Sequence, residues 1–351
     1  MIRFFAKRIV YGVMVLVGVI CVVFLLFHAL PGDPVSLIAG QRSDISTRQE
    51  ITKELGLDKP LHIQFFYYVN DLSFISLYEP SINNQQKYSY REISTIGNNV
   101  LVFKWPYLRR SFQTNKKVTE IINDNIFDTF WLAFSAMIFA SIVGILLGVI
   151  AALKQNSFLD HFIISISVFG ISIPSFVSAI LMAMIFGFYL SDYTGLNLTG
   201  QLWVNHPIRG RELQVHNLIL PALTLGIRPL AIVVQLTRSS MIEVLSLDYI
   251  RTAYAKGLGK YGVVLKHALK NAMNPVITAV SGWLASLMAG AFFVEYIFDW
   301  KGLGYITIKA VQSLDFPVVM GVTLLVATIF VIINIFVDLL YAVIDPRIRL
   351  N

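Results

Sequence analysis

The chain has 351 residues, of which 56% are hydrophobic and 14% are charged. Its mean hydropathy is +0.67. A soluble domain carries about a quarter of its residues as charged side chains, so this composition excludes an ordinary soluble enzyme and predicts a protein that faces lipid. The single cysteine, Cys21, excludes a disulfide within the chain.

The first apolar segment covers residues 9–30 and carries no charge. As a helix it would be about 33 Å long, which matches the thickness of the hydrocarbon layer. Arg3, Lys7 and Arg8 precede it, as basic residues precede the core of a signal peptide. The segment is longer than such a core and no small-residue cleavage site follows, so we predict an uncleaved membrane anchor.

Five more apolar segments follow, and together they predict an all-α polytopic membrane protein with six transmembrane helices. These segments are residues 130–153, 162–188, 218–236, 276–298 and 316–344. Pro221, Gly226, Arg228 and Pro229 interrupt the segment 218–236. Such residues need neighbouring helices to satisfy the freed backbone groups, so we expect this helix to lie inside the bundle.

The formal net charge of +7 reports membrane orientation. Residues 31–125 contain 11 basic and 10 acidic residues, whereas the two termini, the turn at Lys154 and the loop 237–274 are mainly basic. The positive-inside rule therefore places the termini and that loop in the cytoplasm, and residues 31–125 outside it. Nucleic-acid binding is not indicated, because no compact basic domain with interleaved aromatic residues is present.

The charge pattern also predicts the domain organisation. We expect a cytoplasmic tip with the first helix at 1–30, an extracytoplasmic region at 31–125, a five-helix core at 126–346 and a cytoplasmic tail at 347–351. In the extracytoplasmic region, an amphipathic helix opened by Ser46 or Thr47 breaks near Gly56 and then resumes. Residues 73–103 are rich in Asn, Gln, Ser and Tyr, which predicts a loop or a small strand-bearing insertion.

The loop 237–274 contains the sequence DYIRTAYAKGLG, which begins at Asp248. It reads as a short helix, a turn at Gly257 and Gly259, and a second amphipathic helix at 263–273. We expect Gly257 to adopt positive φ, because a helix end of this kind favours glycine. A short helix with small residues can dock in a partner's groove, but a solvated basic loop is equally compatible with this composition.

This stretch resembles the EAA loop of permease subunits in binding-protein-dependent ABC importers. With HALKNAMNP at 267–275, the match is specifically to the dipeptide, oligopeptide and nickel permease family, in its first-permease subfamily. Arg251-Thr252-Ala253 stands where the broader superfamily has Glu-Ala-Ala, a departure that is typical of this subfamily. Further segments that resemble the family are HALPGDPV at 28–35, ELGLDKPL at 54–61, GILLGVIAALKQNSFLD at 144–160, SIPSF at 172–176, LILPALTLG at 218–226, VEYIFDWKGLGY at 294–305 and NIFVDLLYAVIDPRIR at 334–349.

The resemblance implies a type I ABC permease core that passes di- or oligopeptides, or a related small solute, across the cytoplasmic membrane by alternating access. It implies four kinds of partner: a second homologous permease, two cytoplasmic ATPase subunits, an extracytoplasmic solute-binding protein and the peptide substrate. No cofactor is implied. The residues implied to couple the chain to the ATPase are Asp248, Tyr249, Arg251, Thr252, Ala253, Lys256 and Gly257.

The chain is not expected to hydrolyse ATP, since no G-x-x-x-x-G-K-[ST] loop occurs in it. The six histidines are scattered without the spacing of a metal site, and no nucleophile–base pattern supports an intramembrane enzyme. A stand-alone secondary transporter or channel is the alternative function. Such a protein should show inverted repeats and ion-coupling carboxylates, and the sequence displays neither.

Two residues are candidates for lining the pore. Arg228 lies mid-span, where a charge costs about 2.5 to 3.5 kcal/mol, so we expect it to face a wet cavity or a buried carboxylate. Pro174 is expected to kink the third span. Asp128, Glu295 and Asp338 lie near span ends, where reaching the membrane interface is the simplest expectation.

Overall fold

The computed structural model describes residues 2–29, 35, 49, 52, 56–78, 82–97, 99–206, 208, 210–289 and 291–344. The helix start expected at Ser46 or Thr47, most of the HALPGDPV segment and the tail 347–351 lie outside these residues. Within the described ranges the protein is mainly helical, with one three-stranded and one two-stranded antiparallel sheet.

The elements follow one another along the chain with few long connections. The helices are α1 (Ile2–Ala29), α2 (Leu61–Leu72), α3 (Ile82–Tyr88), α4 (Val118–Leu153), α5 (Phe158–Ser172), α6 (Ser175–Met182), α7 (Ser191–Thr194), α8 (His216–Leu245), α9 (Asp248–Ala255), α10 (Lys260–Gly262), α11 (Lys270–Ala289), α12 (Phe292–Ile297), α13 (Leu303–Gln312) and α14 (Phe316–Ile344), with π-helical turns at Ala183–Tyr189 and Val263–Leu269. The strands are β1 (Ile75–Tyr78), β2 (Arg91–Ile96), β3 (Asn99–Phe103), β4 (Trp203–His206) and β5 (Gly210–Leu213).

The class of an α-helical, multi-pass membrane protein is confirmed, but the number of six spans is not. Among the described residues, four helices are long and apolar enough to cross a membrane: Ala6–His28, Val118–Leu153, His216–Leu245 and Phe316–Leu339. A fifth span is obtained if the bent pair α5 and α6 counts as one. The predicted span 276–298 is divided between α11 and α12, because Ala291 has a non-helical backbone.

The chain divides into two compact units. The first unit comprises Met1–Gly12, Asn125–Tyr305 and Thr328–Asn351, and the second comprises Val13–Asp124 and Ile306–Ala327. The first unit contains the loop that resembles the EAA motif, and the second contains the insertion at 73–103.

Helix α8 forms the centre of the first unit and packs against α5, α6 and α11. Its prolines, Pro221 and Pro229, are buried within a continuous helix, as expected for a span inside a bundle. Glycines of the GILLGVIAAL motif allow α4 to approach α8 closely. A Cβ atom at Gly148 would lie 2.6 Å from Thr237 Cβ and 2.8 Å from the Val234 carbonyl oxygen, so only glycine fits there.

The second unit combines the part of α1 that follows Gly12 with helix α2 and the three-stranded sheet. Strands are ordered β1-β3-β2, and Phe103 of β3 lies opposite both Ile75 and Arg91. The insertion at 73–103 is therefore the strand-bearing one of the two predicted forms. The sequence did not decide between the two forms, because the strands are short and the buried apolar residues of the sheet, Val100 and Val102, lie on one of them.

Candidate functional site

A helix, a glycine turn and a second helix form the loop after α8, as the sequence predicts. The first helix is α9, and Gly257 follows it with φ of +80°. The Gly257 amide donates to the Tyr254 carbonyl at 2.9 Å, and the Leu258 amide donates to the Ala253 carbonyl at 3.3 Å. This pair of bonds is a Schellman motif, which satisfies carbonyls that the helix end leaves free. The prediction of positive φ at Gly257 is confirmed.

Helix α9 has one buried face and one exposed face. Ile250 and Ala253 are 2% and 7% exposed, and they belong to an apolar cluster that includes Met241, Val263 and Ala268. Ala253 therefore packs against the chain's own loop, and its small side chain permits that close approach. The other residues implied in coupling lie on the exposed side of this turn; they are Asp248, Tyr249, Arg251, Thr252, Lys256 and Gly257.

Tyr249 also links α9, through a hydrogen bond, to the helical segment that follows it. Its hydroxyl accepts a hydrogen bond from Asn271 Nδ2 at 2.7 Å, and Asn271 also donates to the His267 carbonyl at 3.1 Å. Asn271 is a positioning residue that the sequence analysis did not single out. Its place in the HALKNAMNP motif was the available signal.

The exposed surface of the loop is basic. Arg251, Lys256, Lys260 and Lys266 are all exposed. Arg251 Nη1 lies 3.6 Å from Asp248 Oδ1, and both side chains are largely in solvent, so this pair contributes little to stability. The loop thus combines internal apolar packing with a positively charged exposed face.

Arg228 lies exposed in the middle of α8, the most buried of the four candidate spans. No acidic side chain in the described ranges forms an ion pair with it. Gln235 is half-buried and Ser239 is exposed further along α8. The spacing of seven and then four residues from Arg228 places all three on one side of the helix.

Helix α11 packs against α8 and has a polar stripe of its own. Asn274, Thr278 and Ser281 follow one another at intervals of four and three residues, which brings them to one side of the helix. Thr278 Oγ1 donates to the Asn274 carbonyl at 3.1 Å, and Ser281 Oγ donates to the Ile277 carbonyl at 2.9 Å. The sequence analysis did not single out Gln235, Ser239 or the polar residues of α11, although their helical spacing was visible.

At Pro174 the helix breaks completely, which is a larger change of direction than the predicted kink. Ile173 is extended with φ of −78° and ψ of 128°, and α6 restarts at an angle of 106° to α5. The ring of a proline disfavours the helical conformation of the preceding residue, and no amide is available to continue the hydrogen-bond ladder. Pro174 is exposed at the break.

Glu295 does not reach the membrane interface, contrary to the expectation for a carboxylate near a span end. It is fully buried and accepts hydrogen bonds from Thr129 Oγ1 at 2.8 Å and from the Tyr305 amide at 3.0 Å. Thr129 Oγ1 also accepts from the Leu303 amide at 2.7 Å. These two side chains satisfy the free amides at the start of α13, where a negative charge is favoured. Gly302 completes this arrangement, since a Cβ there would meet Thr129 and Glu295.

The other two carboxylates near span ends differ from each other. Asp338 binds Arg8, with 2.9 Å between Oδ2 and Nη1, so it is stabilised by an ion pair rather than by hydration alone. Asp128 is half-buried, and its backbone carbonyl accepts the Trp300 indole N–H at 2.9 Å. Across the part of the chain that the structure describes, no group of His, Cys, Asp or Glu could hold a metal ion.

The fold belongs to a known class of membrane transporter component. Two solved structures, both inward-facing forms of the MetNI methionine ABC transporter, share it with TM-scores of 0.50 and 0.51 at 15% and 16% identity. The matched regions cover 65% and 64% of this chain and 97% of each of those chains. The architecture is therefore that of a type I ABC importer permease.

The chain belongs to the family described as binding-protein-dependent transport system inner membrane component, which matches residues 144–350. The N-terminal model of the same transport systems matches residues 1–133. The dipeptide transport system permease protein DppB of Escherichia coli K12 is 36% identical over 367 residues, covering 99% of both chains. The glutathione transport system permease protein GsiC of Salmonella typhimurium is 35% identical over 353 residues, again covering 99% of both. The family recognised from the sequence motifs is thus confirmed.

Proposed function

We propose that this chain is the channel-forming permease subunit of an ATP-driven importer for di- or oligopeptides, or for a related small peptide such as glutathione. The observation that carries the proposal is the loop after α8. It exposes a short helix followed by a basic turn, while the chain has no phosphate-binding loop of its own. The driving force for transport then has to arrive through a docked subunit.

The partners follow from this role. One of the two ATPase subunits would receive α9 in an acidic groove, and the contact surface would consist of Asp248, Tyr249, Arg251, Thr252, Lys256 and Gly257. A second homologous permease would complete the channel, because the polar residues on α8 and α11 require another subunit to shield them from lipid. An extracytoplasmic solute-binding protein would deliver the peptide.

The orientation of the chain is part of the same proposal. With both termini and the 237–274 loop in the cytoplasm of a cell with a cytoplasmic (inner) membrane, residues 31–125 face outward and residues 126–346 form the permease core. The basic residues near α9 and the nearly neutral region 31–125 support this topology through the positive-inside rule.

Arg228 is proposed to line the translocation route and to offer its guanidinium to a carboxylate or carbonyl of the peptide. Charge-assisted hydrogen bonds of this kind are strong in a site that excludes bulk water. Gln235 would continue the same polar side of α8. The exposed Pro174 at the break between α5 and α6 is the second proposed pore residue, since a helix end leaves backbone carbonyls free toward a cavity.

The coupling role is tested by a matched pair of glycine variants. Gly257→Val forces a branched side chain into positive φ, which costs about 1 kcal/mol or more. Gly259→Ala is the control, because Gly259 has φ of −65° and open space around its Cβ position. We expect Gly257→Val to stay in the membrane, to lose peptide uptake and to co-purify poorly with the ATPase. Full uptake and normal ATPase stimulation in both variants would rule out α9 as the coupling element.

A further inference from the structure

One face of the three-stranded sheet in the second unit is apolar and exposed. Ile75 and Phe103 lie opposite each other on β1 and β3, and they are 58% and 47% exposed. Leu77, two residues along β1, lies on the same side of the sheet and is 49% exposed. Val102, on the opposite face of β3, is fully buried. The sheet therefore has an apolar side that the described residues of its own unit leave exposed.

Aromatic rings extend this face beyond the strands. Phe74 and Trp105 are 49% and 78% exposed, and the Phe74 ring lies 6.0 Å from Trp105 and 6.4 Å from Phe103, between centroids. A contiguous apolar surface of this kind is uncommon on a face that meets only water. The aromatic patch is defined as Phe74, Ile75, Leu77, Phe103 and Trp105.

The patch is attached to the end of a transmembrane helix. Helix α2 runs directly into the sheet, and it packs on the last turns of α1, with 5.1 Å between the ring centroids of Phe65 and Phe24. His28 Nε2 lies 2.9 Å from Gln64 Oε1 at the same level. Because the candidate span in α1 ends at His28, α2 lies where the hydrocarbon layer gives way to the headgroups.

The depth of Trp105 follows from its neighbour Leu108. Leu108 packs against a cluster that contains Val23 of α1 and Met320 of α14. Both residues lie inside the candidate spans, about one turn or more from the span ends. Three residues of extended chain reach at most about 10 Å, so Trp105 cannot lie far above the membrane surface.

We propose that the aromatic patch is embedded in the interfacial layer of the membrane, so that lipid covers the apolar side of the sheet. Trp and other aromatic residues favour this layer, where an apolar ring and a polar edge are both satisfied. Leu25 and Leu26, near the end of the candidate span in α1, are also 56% and 53% exposed. Arg91 lies opposite Phe103 on β2 and is exposed, which places a cation among the lipid phosphates.

This arrangement gives the insertion a role as an interfacial anchor. The sheet would be held parallel to the membrane beside the end of α1 instead of projecting into solvent. Its other side, built on Val100 and Val102, would remain free of lipid. The surface that a soluble partner could reach is then restricted to the part of the unit away from the patch.

Nitroxide accessibility in nanodiscs tests this proposal on the assembled transporter. Cys21 is the single cysteine in the chain, so Cys21→Ser gives a background for one label at a time. Labels at Trp105→Cys and at Leu77→Cys report on the patch, and the second leaves Trp105 intact. Thr95→Cys is the aqueous control, because Thr95 is exposed and pairs with Val100 on the other side of the sheet. Leu25→Cys is the lipid control.

We expect labels at 105 and 77 to be more accessible to oxygen, and less accessible to a water-soluble nickel chelate, than the label at 95. Their accessibilities should approach that of the label at 25. If both patch labels match the label at 95 in the lipid-bound transporter, the proposal is wrong. The proposal would also be overturned if the patch labels became inaccessible to the nickel chelate only after a solute-binding protein is added. A protein and not lipid would then cover the patch.

Discussion

The carboxylate of Asp160 binds the guanidinium of Arg238 through two parallel hydrogen bonds, 2.6 Å to Nε and 2.7 Å to Nη2. Asp160 lies in the first turn of α5, and Arg238 lies on α8, ten residues before α9 begins. Asp160 is almost fully buried and also accepts the Asn156 amide at 2.9 Å. Bidentate pairing fixes both distance and orientation, so α5 is joined rigidly to the helix that leads into the coupling loop.

Asp160→Asn should destabilise the protein, because it leaves Arg238 partly buried without its counter-charge. Removing one partner of a buried pair costs roughly 3 to 5 kcal/mol, reduced here because Arg238 retains 26% side-chain exposure. Thermal unfolding of the purified complex measures this. Lys59→Gln is the control, since its pair with Asp58 is exposed and lies outside the proposed contact surfaces. Equal unfolding temperatures for Asp160→Asn and Lys59→Gln would show that the pair of Asp160 with Arg238 does not stabilise the fold.

Gly302→Ala should disrupt the connection between α4, α12 and α13. A Cβ at Gly302 would lie 2.6 Å from Glu295 Oε2 and would displace the Thr129 hydroxyl as well. Both groups would lose hydrogen bonds in a buried site, where each unsatisfied group costs about 1 to 3 kcal/mol. The membrane yield of folded complex reports the effect. Gly282→Ala is a matched control with open space at its Cβ, and a similar loss in both variants would contradict this role for Gly302.

Lys104 should make the stability of the second unit depend on pH. Its Nζ donates to the Asp71 carbonyl at 2.5 Å and lies 5.5 Å from the ring centroid of Tyr88. Burial lowers the pKa of Lys104 to about 8. The negative charge of Asp71 raises this pKa, but its effect is smaller than that of burial. The unfolded chain, with a lysine pKa of about 10.4, then binds more protons above pH 8, so stability rises from pH 8 towards pH 10.

Hydrogen exchange of the β3 amides, corrected for intrinsic rates, measures that dependence. Burial raises the pKa of Tyr88 well above its usual range, which gives the opposite slope above about pH 10, so pH 7.5 to 9.5 is the informative window. Lys104→Met should remove the increase in protection, whereas Lys87→Met, at a half-buried lysine near the same ring, should keep it. An unchanged pH slope in Lys104→Met would refute the assignment.

Arg228→Gln should abolish peptide uptake while the complex still assembles, because no carboxylate among the described residues depends on this guanidinium. Arg228→Lys keeps the charge but loses the planar, bidentate geometry, so partial uptake is expected. Uptake and co-purification are measured on the same preparations. Loss of assembly in Arg228→Gln would point to an ion pair with a partner subunit, and unchanged uptake in both variants would remove Arg228 from the route.

Local signals in the sequence were sufficient for some features. Gly257 was predicted to adopt positive φ because a glycine that ends a short helix leaves few alternatives, and α8 was expected inside the bundle because it combines two prolines with a central arginine. Both depend on chemistry within a few residues. The family resemblance added the coupling residues, which local chemistry alone did not separate from a solvated loop.

Features that depend on distant contacts were not predictable in the same way. Glu295 looked like a carboxylate at a span end, and only its approach to Thr129, 166 positions away, shows that it caps another helix. The predicted span at 276–298 was wrong as one helix for a similar reason, since apolar composition does not show where a backbone turns. The complete break at Pro174 depends on what packs beyond it, which a proline alone does not specify.

ATP-driven uptake by a reconstituted system tests the central claim most directly. Proteoliposomes would contain this chain with its second permease and ATPase subunits, and a labelled dipeptide would be supplied with the solute-binding protein. We predict uptake that requires ATP, the binding protein and every subunit, and that Gly257→Val abolishes while Gly259→Ala does not. Uptake of the dipeptide by this chain alone, driven by an ion gradient without ATP, would contradict the account.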